Sequence, residues 1–576
     1  MRRIDDHHTE TFYDPWHYLG PKRKRLLEHG WAGVFRTFLF DELPLAKIEK
    51  RFHDTMGRPS KELYAMLGVL ILQQLFDLTD EQTVETFALN VGWHYALDIR
   101  DESDGSMYVC ERTLREYRQM AVELKIDEIL FRSLTDKLLK AFQIPTGKQR
   151  LDSTHLLSNM KRLSRLDLFV RTIEKFLKEF RRAHPRILQS QVDGELAARY
   201  LDKKKGCFSR VSGDDAKKTL QAVADDLLTL VKRFENHAKV SRLDSFVLLQ
   251  RVLSEQCKVG GEAHDEKVEL KDPKEIGGAS LQNPSDADAT YDGHKGQGYQ
   301  VQLMETFQER EKSDPLQPNM ITYANLETAH CSDGEAMLPA LAETQERGCV
   351  PEELLADAAY GSDENVQQSQ REGTRLIAPT MGKPKKKAEM LVLDDFRTND
   401  VGTIVSCPAG ESPTQVKIGK RGNCTARFDA RTCRHCEHRD YCQVGQGKTG
   451  YRLRYTPKEL RLANRRTVEE SEEFREKYRW RSGIEATNAK LKRTLKIGRL
   501  RVRGLGRVRH AVMLKVLGWN ILQAVRAVKA RILGVFRQDI SWIVIRLHLV
   551  SEIRRSAGTT GAFPPDSKAS ALQLAA

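Results

Sequence analysis

The chain has 576 residues, 40% of them hydrophobic and 30% charged, and a formal net charge of +14. Its length exceeds what one hydrophobic core normally supports and asks for about two to four folding units, while its composition excludes a disordered or fibrous chain. The N-terminus is charged, carries His7 and His8 and lacks the apolar stretch of a signal peptide, and the strongest apolar run, Leu67 to Leu72, is far shorter than the ~18–20 residues of a membrane helix.

These features place the expected protein in the cytoplasm, away from any membrane, with its ten cysteines reduced. In chain order, residues 1–145 read as helical. Pro59 precedes an apolar-periodic run through Leu63, Leu67, Leu70, Ile71 and Leu75, and Thr79 with Gln82 forms a capping box that starts a second helix. Thr113 to Tyr117 and Arg118 suggest a third, amphipathic and basic helix. Such a region suits a DNA-binding domain or a dimerisation bundle, and the pattern does not choose between them.

After the break at Pro145-Thr146-Gly147, Arg150 to Leu157 has the length of a strand, and helical patterns fill roughly 160 to 255. Gly260-Gly261 and the polar stretch Gly277 to Gly298 lead into strands over Tyr299–Thr306 and Met320–Thr328. A helix over Asp333–Arg347 and a buried strand over Glu353–Ala359 follow. The order describes an α/β core interrupted by a helical insertion at about 160–275. A second insertion, about 382–455, opens on Lys383-Pro384-Lys385-Lys386-Lys387 and holds half of the cysteines; Pro457 to about Arg555 is again helical, and the small, polar tail 556–576 is expected to be disordered.

Two acids stand at strand positions of this core: Asp152 in Leu151-Asp152-Ser153-Thr154-His155, and Asp357 in Leu354-Leu355-Ala356-Asp357-Ala358-Ala359-Tyr360-Gly361. An acid at the end of a buried strand of an open α/β sheet points to the edge where such folds take ligands, although a lone strand-end aspartate serves equally as a turn cap. Tyr478, Arg481, Glu485 and Lys492 form the spacing Y-x2-R-x3-E-x6-K. At ~100° per residue these positions fall within about 60° of one another, on one face of an expected helix. Arg481 and Glu485 by themselves are also an ordinary i,i+4 pair.

Taken together, Asp152, the Asp357-x-x-Tyr360-Gly361 strand end and the Tyr478–Arg481–Glu485–Lys492 signature resemble the DDE transposases of bacterial insertion sequences, over roughly residues 40 to 530. The resemblance implies a ribonuclease-H-like catalytic domain over 146–495 with the helical and Cys-rich insertions, a helical N-terminal domain over 1–145 and a basic helical region over 496–555. It implies Asp152, Asp357 and Glu485 as catalytic metal ligands, with Tyr478, Arg481 and Lys492 supporting them or contacting DNA. Asp363, Glu473 and Glu476 are nearby acids outside the motif positions. Hard oxygen donors select Mg²⁺ or Mn²⁺, and a pair of such ions is the expected cofactor for in-line phosphoryl displacement.

Cys407, Cys424, Cys433, Cys436 and Cys442 lie close in sequence, with Cys433 and Cys436 as a C-x2-C pair. They are candidate ligands of a structural Zn²⁺, the alternative being reduced cysteines packed without metal. Between Glu485 and Asp539 there is no acidic residue but fourteen Lys and Arg, including Arg499, Arg501 and Arg503, whose alternation suits contacts with phosphates. The expected partner is double-stranded DNA, held by a homodimer or larger assembly because two element ends must be joined. A ribonuclease-H-like nuclease without joining activity and a non-catalytic DNA-binding relic of a transposase are the alternative functions.

Overall fold

The computed structural model describes residues 1–7, 9, 12, 14–202, 214–260, 267–309, 314–382, 390–399, 403–419, 422–447 and 450–557, with 214 and 534–557 described by backbone alone. Gly261, Cys207, the basic run Lys383 to Lys387 and the expected tail from 558 lie outside these residues. The first 145 residues fold into helices α1 (Pro21–Glu28), α2 (Trp31–Phe38), α3 (Leu63–Leu75), α4 (Asp80–Leu89), α5 (Val91–Ala96), α6 (Asp104–Met107), α7 (Glu111–Glu123) and α8 (Ile126–Ala141). The capping box at Thr79 forms as its spacing demands: the Gln82 amide donates to the Thr79 hydroxyl, and the Thr79 amide donates to the Gln82 side chain. In α3 the carboxylate of Glu62 caps the first turn instead, accepting from the amides of Tyr64 and Ala65. The N-terminal strand of chain before α1 is tied down by backbone bonds, Arg2 to His53 and Leu63 to Arg3.

The central sheet begins with β1 (Lys148–Leu157). Helices α9 (Arg165–Ala183), α10 (Pro185–Gln191), α11 (Gly194–Leu201), α12 (Asp214–Phe234) and α13 (Asp244–Gln256), with the hairpin β2 (Cys257–Gly260) and β3 (Lys267–Leu270), then form the insertion. Phe169, Phe176, Phe180, Phe234 and Phe246 give this insertion a core of its own. The sheet resumes with β4 (Thr290–Asp292), β5 (Gly296–Thr306) and β6 (Ile321–Thr328), and after α14 (Met337–Glu346) continues with β7 (Glu353–Leu355), α15 (Asp363–Arg371) and β8 (Arg375–Ile377). β5 pairs antiparallel with β4, β6 and β1, whereas β7 is parallel to β1 and β8 is parallel to β7. One face packs on α14 through Leu151, Met304, Met337, Leu341 and Tyr360. β7 is shorter than its apolar pattern suggests, because Asp357 caps a tight turn over Ala358–Tyr360 and ends the strand.

The Cys-rich insertion holds β9 (Arg397–Thr398) and β10 (Ile404–Ser406), then a small antiparallel sheet of β11 (Gln415–Ile418), β12 (Cys424–Phe428), β13 (Gly445–Gly447) and β14 (Gly450–Tyr455), with α16 (Ala430–Arg434) between β12 and β13. The chain closes with α17 (Pro457–Glu469), α18 (Glu472–Tyr478), α19 (Gly483–Thr494) and α20 (Leu505–Ala557). Side chains of α20 from Val508 to Ala527 enter the same core as α2, α3 and α8 and cover the second face of the sheet at Val301, Leu303 and Ile321. One helical stretch, Leu505–Leu533, is long and apolar enough to cross a membrane, contrary to the expectation that no segment would be, and 83% of its most apolar window is buried inside the protein. It is a core helix in this fold.

Candidate active site

β1 and β7 run parallel in the register Lys148↔Glu353, Gln149↔Leu354, Arg150↔Leu355. Two residues beyond the last of these pairs stand Asp152 and Asp357, so the register carries both acids to the end of β7 side by side. The alternation of β1 puts Asp152 on the same face as Arg150 and Thr154, toward α19. Glu485 arrives from the first turn of α19.

The expected single helix carrying Tyr478, Arg481, Glu485 and Lys492 is broken. α18 ends at Tyr478, Arg479–Ser482 form a 3-10 turn, and α19 starts at Gly483. Arg150 packs against this turn: its guanidinium fills the space beside Gly483 and donates to the Trp480 carbonyl at 2.9 Å. A Cβ on Gly483 would lie 1.9 Å from Arg150 Nη1. Glu305 on β5 holds Arg150 at 2.7 Å and accepts from Thr487 of α19 at 2.7 Å. Sheet and helix are thus clasped together immediately behind the acids.

Arg481 is the centre of the cluster. Its Nη2 lies 3.1 Å from Asp152 Oδ1 and 3.6 Å from Asp357 Oδ2, and its Nη1 lies 2.5 Å from Glu485 Oε1. Burial opposes the charge on Arg481, but Asp152, Tyr478, Asp357 and Glu485 outweigh it and raise its pKa. Burial, opposed by Arg481 and assisted by Asp357, lifts Asp152 to about 6. Asn488, one turn beyond Glu485, donates to Asp152 Oδ2 at 3.1 Å while its own buried Oδ1 has no partner among the described residues. The three-residue spacing from Glu485 was a readable signal for Asn488 that motif matching passed over.

The three carboxylates are an all-oxygen donor set suited to Mg²⁺ or Mn²⁺. They surround one guanidinium, a cation sharing their charge, and that convergence of three negative groups on a single positive one is what a divalent ion requires of them. Among the described residues no group of three His, Cys, Asp or Glu side chains, the carboxylates and the clustered cysteines included, is drawn close enough to hold an ion.

The remaining sequence candidates separate by environment. Tyr478 stacks on Phe474 with ring centres 5.5 Å apart, and Lys492 is exposed on α19. Asp363 is ion-paired to Arg461 at 2.6 Å, a structural role that keeps it out of the cluster, and Glu473 lines a separate cavity beside β8. The segment from Gly498 runs alongside the end of β1, with the Leu157 amide donating to Gly498. Within it Arg499 is exposed, Arg503 donates to the Met160 sulfur, and Arg501 donates to the carboxylate of Asp77 at 2.9 Å. Lys515 is also paired to Asp77, and Arg509 to Asp127. The acid-free tract therefore receives part of its countercharge from the N-terminal helices, which the local charge count could not register.

Cys407, Cys433, Cys436 and Cys442 stand near enough to act on one another electrostatically, though not drawn into a group that holds a metal. Cys407 opens a tight turn closed by Gly410, Cys433 and Cys436 follow at the end of α16, and Cys442 comes after the next turn. Burial, then the neighbouring thiols of Cys407, Cys442 and Cys436, push Cys433 up to about 11. Cys424 stands apart, buried in β12 opposite Tyr455.

Two family models match the chain. Residues 406–525 match a model described as a transposase DDE domain, and residues 26–118 match one described as a transposase domain. No curated protein matches. The first match contains Glu485 and all of α19, and the second covers most of the N-terminal helices.

Proposed function

We propose, since this chain is a DDE-type transposase, that Asp152, Asp357 and Glu485 are its catalytic carboxylates and that they hold two Mg²⁺ or Mn²⁺ ions. The observation that carries this reading is the single guanidinium of Arg481 reaching all three acids, which come from distant parts of the chain. When bound, such ions supply activation of the attacking hydroxyl and stabilisation of the leaving oxygen during in-line phosphoryl displacement.

The residues of the chain do the positioning. The Arg150–Glu305 clasp fixes Glu485 against the sheet, Asn488 orients Asp152, and Arg481 exchanges its carboxylates for DNA phosphate oxygens as substrate arrives, a partner its planar fork matches in two bonds. Water attacks phosphorus at the element end, the P–O3′ bond breaks, and a free 3′-hydroxyl results. That hydroxyl then attacks a phosphate of target DNA; one P–O bond forms as another breaks, so no ATP is consumed. Arg499 and Arg503 contact backbone phosphates, while Arg501 joins the basic segment to the N-terminal helices through Asp77.

The helices over 1–145 recognise element ends or pair two copies, and at least a dimer brings two ends together. The work takes place in the cytoplasm, on nucleoid DNA. Cys407, Cys433, Cys436 and Cys442 are the zinc ligands of the second insertion, with Cys424 a core residue.

Cleavage and joining of labelled DNA bearing the element's ends, with Mg²⁺ or Mn²⁺, tests this. Joining by the wild type that Asp152→Asn, Asp357→Asn and Glu485→Gln each abolish, with DNA binding kept, is the expected result. Cleavage without joining indicates a nuclease, and binding without chemistry indicates a relic.

A further inference from the structure

The side of the carboxylate cluster away from Arg481 is basic, and only one of its members belongs to the sequence signature. Lys295 sits at the tip of the β4–β5 hairpin, where Asp292 Oδ1 accepts from the amides of His294 at 2.8 Å and Lys295 at 2.6 Å and pins the turn. Its exposed amine reaches back over the sheet to 3.4 Å from Ser153 Oγ, next to Asp152. Asp333 Oδ2 lies 3.7 Å from that amine, an ion pair without a hydrogen bond.

Lys492 faces the same place from α19. Partial burial of its amine, then the charge of Lys295, lower its pKa, while Asp152 raises it. His155 on β1 is close enough to feel both lysines and is also acted on by the Gln297 backbone. Burial, then Lys295, lower the pKa of that imidazole against the pull of Asp292. Lys295, countered by Asp333, and Lys492 come from separate elements and offer two cations to one bound anion.

We propose that Lys295 is a DNA-binding residue that forms with Lys492 a subsite for a backbone phosphate beside the scissile one. This rests on the transposase reading, which supplies the DNA and the position of the scissile bond. Arg481 and Lys295 then grip the backbone on opposite sides of Asp152, so that the reacting phosphate is held from two directions.

The test is binding of a labelled duplex carrying one end of the element that encodes the chain, measured without divalent metal over a series of salt concentrations. Lys295→Ala is expected to weaken binding about tenfold and to reduce the slope of log affinity against log salt by about 0.9. Lys295→Arg restores both. Replacing single phosphates by uncharged methylphosphonates identifies one position that weakens the wild type and leaves Lys295→Ala unaffected. Wild-type affinity and slope in a folded Lys295→Ala overturn the proposal, as does weaker binding with an unchanged slope and no silenced phosphate. Adding Mg²⁺ separates the two readings: a wild type that never cuts the duplex defeats the transposase reading, whereas one that cuts normally beside an unimpaired Lys295→Ala defeats only the subsite.

Discussion

Arg150 and Glu305 form an ion pair almost wholly removed from solvent, with Nε and Nη2 of the arginine 2.9 and 2.7 Å from one carboxylate oxygen. The other carboxylate oxygen accepts from Thr487, and the arginine also donates to Trp480. One buried pair therefore ties β1 and β5 to both sides of the helix break.

Glu305→Gln leaves Arg150 charged and buried without its counterion, a loss of about 3–5 kcal/mol. Denaturant unfolding should show it directly. The double variant Arg150→Met with Glu305→Leu should recover much of that stability, since both desolvated charges go, but it should not recover DNA cleavage, because α19 loses its anchor.

Gly483→Ala puts a methyl where the Arg150 guanidinium lies, 1.9 Å from Nη1. The arginine must withdraw from Trp480. A stability cost of about 1–3 kcal/mol is expected, together with a fall of roughly a hundredfold in single-turnover cleavage as Glu485 shifts. A variant that cleaves at the wild-type rate would show that the break plays no part in aligning Glu485.

The strap before α1 carries a pH dependence. His7 Nδ1 lies 2.9 Å from Asp98, and Glu62 is 3.8 Å from its other nitrogen. Burial opposes its protonation, but these carboxylates prevail and raise His7 from 6.5 to about 9, while Asp98 is lowered from 3.8 to about 2, its burial outweighed by His7 and Arg100. The His7 contribution is complete below pH 6.5 and disappears as pH rises through 9; the Asp98 contribution is complete above 3.8 and disappears toward pH 2. The Tm difference between wild type and His7→Gln should be largest between these limits and shrink steadily from pH 6.5 to 9. A difference that stays constant over that range would be inconsistent with a charged His7.

Metal content separates the cysteines. Protein purified from zinc-supplemented cells should carry about one Zn²⁺ per chain, as a closed four-thiolate site implies. Cys433→Ser and Cys436→Ser should each lose it, and Cys424→Ser should keep it. Retention in all three, or loss in Cys424→Ser alone, would contradict the assignment of ligands.

Much of this architecture could be read from local pattern. The capping box at Thr79, the strand around Asp152 and the two strands after the helical insertion appear where periodicity and turn residues put them, because each is decided within a few residues of chain. What escaped needed tertiary information. β8 is three residues long and owes its existence to β7 beside it. The break after Tyr478 packs on Arg150, far away in sequence, so a helical wheel drawn through Tyr478 and Lys492 could not contain that contact. Lys295 has no period and no motif; a hairpin tip brings it to Ser153, next to Asp152 in the chain. The charge tract after Glu485 is answered in part by Asp77 and Asp127 from the other end of the chain, which a local count does not register.

The placement of α20 in the core of the first eight helices also has a consequence for synthesis. Leu517, Trp519 and Ile521 fill space between helices made hundreds of residues earlier. At about 5–20 residues per second, a ribosome needs roughly half a minute or more to reach them. Until then the apolar faces of α3 and α8 wait without their partner. A message cut short anywhere before that helix yields a product with an open core, which proteases remove, so incomplete copies of the gene should leave no stable protein to compete for DNA ends.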